Sequence, residues 1–263
     1  PGELQIELDR RLIQERIDAV KKELKKIIKR RNNQRNNRKK NVTNSFALVG
    51  YTNVGKSTLM KILSGNYQPD SGEIFVDSES KRFNKPVDAR RFGIEMVYQD
   101  FALIPELSVT RNIFLGREIT KRSMGIKTLD DKAMDRQAHS HLETLGLRIP
   151  PVSSAVRELS GGQQQAVAIA RATAFNAKLV IMDEPTANLG ASAIEKVRET
   201  ILRLKTKGIS VIIISHRLED ILTVGDRLLV MKQGKAVGIR KVKDTDTKKI
   251  VHMIVTGENK DLQ

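Results

Sequence analysis

The stretch from Gly50 to Thr58, with the sequence GYTNVGKST, has residues that could bind a chain of phosphates. It fits the pattern G-x-x-x-x-G-K-[ST], in which backbone N–H groups of a glycine-rich loop surround anionic oxygens. In this pattern the lysine, here Lys56, reaches the β- and γ-phosphates, and the hydroxyl of Ser57 binds Mg²⁺. The alternative is an ordinary glycine turn. The residues expected to bind the nucleotide are Gly50, Asn53, Val54, Gly55, Lys56, Ser57 and Thr58.

The elements on either side of this loop are those that the motif requires. The apolar run FALV, residues 46–49, predicts a buried parallel strand, and residues 58–64 predict a helix. Gly65 stands where a helix C-terminal cap is expected. Strand, glycine-rich loop and helix in this order support the phosphate-binding interpretation.

A second apolar run, LVIM, is followed directly by Asp183 and Glu184. Such a run predicts a buried strand, and ligands of open α/β sheets bind at the carboxyl ends of the strands. Asp183 is expected to bind Mg²⁺ through water, and Glu184 to orient or deprotonate an attacking water. The alternative is that the two acids cap the following helix.

Composition narrows the classes of protein that the chain can represent. The 263 residues include no Cys and no Trp. The absence of Cys excludes a disulfide framework, and the composition is compatible with a reducing compartment. No apolar run approaches the ~18 residues that a membrane span needs. The formal net charge is +16.

Half of this excess charge lies in residues 1–40, which hold fourteen Lys/Arg and six Asp/Glu. Their apolar residues are spaced four, three, four and three apart from Ile13 to Ile27, which predicts a coiled-coil-like helix. A stripe this narrow needs a partner surface to be stable. The charge is compatible with contact to RNA or the ribosome, and equally with a solvated helix face.

Residues 1–60 resemble the HflX-type ribosome-associated GTPases, through PGELQIELDRRLIQERI and FALVGYTNVGKSTL. The features that a GTPase needs further along are missing. No Asp is followed by Gly three residues later, and NKPVD (residues 84–88) is one residue longer than the guanine-reading N-K-x-D. We expect residues 84–88 to form a surface turn.

Residues 55–258 resemble the ATP-binding subunits of ABC transporters of the sugar-import type. The resemblance depends on several motifs in order: QPDSGEI (68–74), MVYQD (96–100), LSGGQQQ (159–165), LVIMDEPT (179–186) and SVIIISH (210–216). It implies that Gln99 contacts Mg²⁺ and the attacking water, and that His216 hydrogen-bonds to the γ-phosphate. Gly190 stands where the family usually has Asp.

The same resemblance implies a site that is shared between two chains. It implies that four residues contact the γ-phosphate of the ATP that is bound to the opposite subunit. These residues are Ser160, Gly161, Gly162 and Gln163. The active unit would then be a head-to-tail pair of ATP-binding domains. Membrane permease subunits are the other implied partners, docked on a helical subdomain at about residues 104–172.

Further elements can be predicted from local patterns. Residues 74–76 are expected in a small antiparallel sheet, and residues 96–100 in a strand that ends at Gln99. Helices are expected at 131–145, 163–175 and 247–254, and a hairpin around Gln233-Gly234. Phe46 is the only aromatic residue before residue 50, so no adenine-stacking platform is evident.

Together these features predict an α/β fold: a P-loop NTPase sheet with an ABC-type helical subdomain, preceded by a basic helix. The expected domains are residues 1–40 and 41–263, and the chain is interpreted as a chimera joined near residues 56–60.

The expected activity is Mg²⁺-dependent ATP hydrolysis for a sugar importer, at the cytoplasmic face of the membrane. The catalytic residues would be Lys56, Gln99, Glu184 and His216, and the metal ligands Ser57, Gln99 and Asp183. The alternatives are a nucleotide-binding module with an RNA- or ribosome-docking arm and, third, a GTPase.

Overall fold

The computed structural model describes residues 45–50, 55–123 and 126–259. The chain divides into two units, Pro1–Val42 and Thr43–Gln263, and the structure described below belongs to the second. The basic arm of residues 1–40 and the loop residues Asn53 and Val54 lie outside the described residues.

A six-stranded sheet forms the centre of the described part of the chain, in the order β10-β9-β1-β8-β7-β4. All neighbouring strands are parallel except β9 and β10, which form the expected antiparallel hairpin around Gln233-Gly234. The strands are β1 (Ser45–Val49), β4 (Ile94–Val97), β7 (Leu179–Asp183), β8 (Ser210–Ile214), β9 (Arg227–Lys232) and β10 (Lys235–Lys241).

The apolar runs become strands because helices cover both faces of this sheet. In β1, Ala47 and Val49 pack in one cluster with Ile250 and Met253, whereas Leu48 packs on the opposite face with Met60. Alternate side chains of a strand point to opposite faces, so a strand buried on both sides has a continuous apolar sequence. The predictions of buried strands at residues 46–49 and 179–182 are confirmed, and the run SVIII of the motif at 210–216 forms β8.

Eight α-helices occur in the described part of the chain. The helix predicted at 131–145 is present with those bounds, and the helices predicted at 58–64, 163–175 and 247–254 are present with one or both ends shifted. They are α1 (Lys56–Leu63), α2 (Pro86–Arg91), α3 (Val109–Ile113), α4 (Asp131–Leu145), α5 (Gly161–Thr173), α6 (Ala191–Thr206), α7 (Leu218–Val224) and α8 (Thr247–Thr256). Gly65 follows the cap of α1 with a φ of 76°, as its type predicted.

Three local predictions need correction. Helix α5 begins at Gly161 rather than Gln163, because Ser160 and Gln163 form a reciprocal capping box. Residues 84–88 are not a turn throughout: Pro86 begins α2, and the Asp88 carboxylate accepts the N–H groups of Asn84 and Lys85. Strand β4 ends at Val97, so Gln99 lies in the turn that follows it.

Two small antiparallel sheets flank the main one. Strands β2 (Ile74–Val76) and β3 (Glu79–Lys81) confirm the predicted small sheet, and β5 (Thr120–Ser123) pairs with β6 (Ile126–Leu129) between α3 and α4. None of the helices in the described residues has the length and apolar character to span a membrane.

Candidate functional site

The carboxyl ends of four neighbouring parallel strands lie at one edge of the sheet. Strands β1, β8, β7 and β4 are consecutive neighbours, so their carboxyl ends lie side by side. The residues that follow these ends are Gly50, His216, the Asp183–Glu184 pair and Gln99. A crevice at the carboxyl ends of parallel strands is the usual ligand site of this kind of sheet.

The first turn of α1 places Lys56 and Ser57 at this edge. Gly55 precedes the helix with a φ of 84°, a left-handed conformation that favours glycine, and it gives the helix no side-chain cap. The N–H groups of the first turn therefore have no side-chain partner from this residue, and the N-terminus of a helix attracts anions. Thr58 lies exposed in the same turn.

Lys56 is 6% exposed, and its ammonium group donates to the carbonyl oxygen of Gly50 at the end of β1. Burial lowers the pKa of Lys56, while the nearby carboxylates of Glu184 and Asp183 act in the opposite direction. The lysine of the glycine-rich loop and the two acids after β7 therefore belong to one electrostatic cluster.

Asp183 is the last residue of β7, and its carboxylate accepts a hydrogen bond from the Ser57 side chain. Burial raises the pKa of Asp183, and the hydrogen bond from Ser57 and the charges of Lys61 and Lys56 partly oppose this effect. The structure thus brings together Ser57 and Asp183, two of the three residues that the sequence predicted as magnesium ligands, and no contact joins the third, Gln99, to either of them among the described residues.

Glu184 has a φ of 50°, which is uncommon for a residue with a side chain. Its Oε2 atom lies 2.7 Å from Nδ1 of His216, which follows β8. This approach is short, but it lacks the angle of a hydrogen bond, and the buried Oε2 has no aligned donor among the described residues. The oxygen is therefore available to accept a proton from a ligand or a water.

Gln99 is exposed in the turn after β4, at the same edge. The turn continues into Phe101 and Ala102, which both have positive φ values of 61° and 47°. Arg171 of α5 holds this turn through the carbonyl oxygens of both residues, at 2.8 and 2.5 Å. No local sequence pattern indicates a role for Arg171, because its partners lie about seventy positions earlier in the chain.

Ser160, Gly161, Gly162 and Gln163 form a separate group at the N-terminus of α5. Within the described ranges, no hydrogen bond or ion pair links them to Lys56, Asp183 or Glu184. A side chain on Gly162 would place its Cβ 2.7 Å from Cβ of Ala193, so this glycine permits the close approach of α5 to α6. A Cβ on Gly161 would meet only Leu189, at an ordinary 3.7 Å.

The donor set of the edge fits a magnesium ion that is held together with phosphates. Across the described residues, no group of three or more His, Asp or Glu side chains could hold a metal by itself. Mg²⁺ is usually bound by one or two protein ligands and completed by substrate phosphates and water. Asp183 and Ser57 supply such a partial set, and Lys56 stands beside them to contact the phosphates.

Phe46 does not offer an adenine platform at this edge. It lies half-buried in β1, with the Arg227 guanidinium of β9 over its ring at 5.6 Å from the centroid. One face of its ring is therefore covered within the sheet.

Comparison with known families assigns the larger part of the chain. The model of the ABC transporter family matches residues 37–187, and the model of the GTP-binding GTPase middle region matches residues 1–38. Since the first match covers more than half of the chain, the chain belongs to the ABC transporter family. Proteins of this class are P-loop ATPases that use ATP and Mg²⁺, which confirms the predicted class and cofactors.

Several relatives of the chain are named as import ATP-binding proteins. The chain is 43% identical to the xylose/arabinose import ATP-binding protein XylG of Sulfolobus acidocaldarius, over 80% of this chain and 82% of that protein. It is 44% identical to the fructose import ATP-binding protein FrcA of Rhizobium meliloti, over 75% and 78%. The ribose import ATP-binding protein RbsA of Geobacillus kaustophilus is 43% identical, but the match spans only 42% of its length.

Solved structures agree with this assignment. The dimeric structure of a bacterial ABC transporter cassette superposes with a TM-score of 0.62 at 26% identity, over 76% of this chain and 85% of the other. A nucleotide-free ATP-binding cassette from an ABC transporter gives 0.67 at 27% identity, over 80% and 87%. The predicted fold class, a P-loop sheet of the ABC type, is confirmed.

Proposed function

We propose that the chain is the ATP-hydrolysing subunit of a sugar importer. The observation that carries this proposal is the edge of the sheet at which Lys56 and Ser57 meet Asp183 and Glu184. The sugar-import assignment is supported by relatives at about 43% identity whose names specify import of xylose or arabinose, fructose and ribose.

Each residue of this edge has a distinct proposed task. Lys56 and the N–H groups of the first turn of α1 bind and orient the β- and γ-phosphates. Asp183 and Ser57 hold Mg²⁺, which when bound neutralises charge on the phosphate oxygens. Glu184 orients the attacking water and accepts its proton at Oε2, and His216 contacts both this carboxylate and the γ-phosphate. Gln99, in the turn after the neighbouring strand β4, would contact Mg²⁺ and the same water.

We also propose that Ser160–Gln163 act in trans. Among the described residues, this group makes no hydrogen bond or ion pair with Lys56, Asp183 or Glu184, while a related cassette has been solved as a dimer. A second copy in head-to-tail arrangement would present the N-terminus of its α5 to the γ-phosphate. The permease subunits of an importer would be the further partners, and the chain would then lie at the cytoplasmic face of the membrane.

The direct test of the proposed function is ATP turnover by the Glu184→Gln variant. The amide keeps the shape of the side chain but cannot accept the proton, so we expect turnover to fall by about a hundred-fold or more. Binding of Mg²⁺–ATP, measured by titration calorimetry, should stay within about two-fold because Glu184 does not hold the phosphates.

A matched control for this variant is Glu143→Gln. Glu143 is an exposed glutamate on α4, with 69% of its side chain accessible. The variant Glu143→Gln should therefore leave turnover unchanged. Unchanged turnover in Glu184→Gln would refute the role of Glu184, and the absence of Mg²⁺-dependent turnover in the wild-type chain would refute the proposed function.

A second candidate function rests on the match of residues 1–38 to the GTPase middle region. We infer that this arm, with its net charge of +8, comes from an HflX-like protein and was joined to the ABC-type domain. In that case the arm would dock on RNA or the ribosome, and the P-loop domain would bind nucleotide without productive turnover.

RNA binding by the full chain and by a variant lacking residues 1–40 separates the two candidates. Docking through the arm predicts affinity for RNA that falls steeply with salt and is lost on deletion. Equal binding by both chains, or none at low salt, would exclude it. Competition of ATP against GTP tests the GTPase alternative, and a strong preference for GTP would support it.

A further inference from the structure

Asp220 of α7 is a buried carboxylate that the chemistry described so far does not use. The residue is 3% exposed, and both of its oxygens are bound. Oδ2 accepts from the Thr186 hydroxyl at 2.5 Å. Oδ1 accepts two bonds from the Arg198 guanidinium of α6, from Nε at 2.9 Å and Nη2 at 2.6 Å.

The partners of Asp220 lie beside the two residues expected to handle the attacking water. Thr186 is two positions after Glu184, and Asp220 is four positions after His216. Arg217, the neighbour of His216, places its Nε 3.6 Å from Oδ2 of Asp220. One carboxylate therefore connects the loop that carries Glu184 with the loop that carries His216.

The loop after β7 needs such an anchor because its backbone is strained. Glu184 and Asn188 both have side chains and both adopt positive φ, at 50° and 59°. Conformations of this kind persist only where surrounding contacts impose them. Glu184 donates its N–H to Ile214 at 2.9 Å, and Thr186, 2% exposed, supplies the side-chain anchor between the two strained positions.

We propose that Asp220 is a positioning residue for ATP hydrolysis, acting through Thr186 to fix Glu184 beside His216. This inference rests on the proposed ATPase function. Arg198 neutralises the charge of Asp220 and orients its carboxylate. The bond to Asp220 raises the pKa of Arg198, and the guanidinium is charged throughout the physiological range. Displacing a catalytic group by about 1 Å is enough to slow a reaction by about a hundred-fold.

The test compares Thr186→Val with Thr110→Val. Thr110 is also 2% exposed and also donates to a carboxylate, Asp135, at 2.6 Å, but it lies in α3 among the helices after β4. Each variant removes one buried hydroxyl that bonds to an acid, so both should lose stability. Only Thr186→Val should also displace Glu184. Thr186→Ser keeps the hydroxyl and serves as the conservative variant.

Two readouts separate positioning from stability. We expect Thr186→Val to lower kcat by about ten-fold or more while KM for ATP changes by less than about two-fold, because the phosphate-binding residues stay in place. Thr186→Ser and Thr110→Val should keep kcat within about two-fold to three-fold of wild type. The second readout is hydrogen exchange of the peptide covering residues 184–190, which should accelerate in Thr186→Val only.

Each outcome decides the proposal. An unchanged kcat in Thr186→Val, or an equal loss in Thr110→Val, would overturn it, provided that the wild-type chain hydrolyses ATP. If the wild-type chain shows no turnover, the proposed function fails, and hydrogen exchange in the nucleotide-free protein still decides whether Thr186 anchors this loop. Unchanged exchange at residues 184–190 would then overturn the positioning role.

Discussion

At the scale of single residues, burial acts against the charges of the site. Burial lowers the pKa of Lys56 and raises the pKa of Asp183, because it disfavours the charged form of each group. A ligand that brings phosphate charge to Lys56 and a cation to Asp183 reverses both effects. Under the proposed function, phosphate and cation would therefore favour each other's binding at this site.

Gly162 gives the first residue-scale prediction. A methyl group at this position would meet Ala193 at 2.7 Å, so Gly162→Ala must push α5 away from α6. We expect a loss of about 1–3 kcal/mol in the free energy of unfolding, measured by urea denaturation, although alanine is the better helix former.

Gly161→Ala is the control for this prediction. Its added methyl group would make only ordinary contact with Leu189, at 3.7 Å, and stability should hold or rise slightly. Equal stability of the two variants would show that close packing does not require glycine at position 162.

At the scale of elements, Asp226 fastens the start of β1 to the start of β9. Its Oδ2 atom accepts the N–H of Ser45 at 2.6 Å and the Ser45 hydroxyl at 3.0 Å, and Lys205 of α6 pairs with it at 2.9 Å. β1 carries the glycine-rich loop, so this contact fixes the strand from which the phosphate site projects.

Asp226 also gives a prediction for the dependence of stability on pH. Burial alone would raise the pKa of Asp226, but the bonds from Ser45 and Lys205 outweigh it, and the pKa lies below its usual value of 3.8. A carboxyl group whose pKa is lower in the folded state stabilises the fold at any pH above its pKa in the unfolded state. This stabilisation is lost as the pH falls through its pKa in the folded state. The melting temperature of the wild type should therefore exceed that of Asp226→Asn by the same amount at pH 7 and pH 5. Below pH 3.8 this difference should shrink.

Asp244→Asn is a suitable comparison in the same thermal melts, because Asp244 lies in a short 3₁₀ turn after β10. Its melting temperature should follow that of wild type across the range. A margin for Asp226→Asn that grows as pH falls would contradict the assignment of the lowered pKa to this carboxylate.

At the scale of the whole molecule, the described contacts leave the Ser160–Gln163 group outside the site that it is expected to complete. Two copies would bring the groups together, so we predict that turnover per chain rises with protein concentration before it saturates. The measurement is the Mg²⁺-dependent ATPase rate over a dilution series. Turnover per chain that stays constant on dilution to nanomolar concentration would argue for a site within one chain or for a permanent dimer.

A mixing experiment, in which two variants are co-expressed so that mixed dimers can assemble, distinguishes these two outcomes. The variants Lys56→Ala and Ser160→Arg should each be inactive, because each lacks one half of every shared site. A mixed dimer retains one site with both halves intact, so mixing should restore part of the turnover. A failure to restore any turnover would contradict the head-to-tail arrangement.

The chemistry-bearing residues could be predicted from sequence because each lies at the end of a local pattern. Asp183 and His216 follow apolar runs, and Lys56 follows a glycine-rich loop, so strand ends and side-chain types were both readable. Parallel strands then place these ends at one edge. Helix ends were predicted less accurately, as at Gly161, although the spacing of Ser160 and Gln163 is a local capping-box signature that marks where α5 begins.

Sequence by itself thus determined which side chains stand at the carboxyl ends of the strands, since strand periodicity and loop composition are local properties of the chain. The tertiary structure alone decided how they are held. Asp220 meets Thr186 from 34 positions away, Arg171 meets the turn after Gln99, and Gly162 meets Ala193. The physical reason is that these contacts depend on the packing of helices against the sheet, and no periodicity along the chain records that packing.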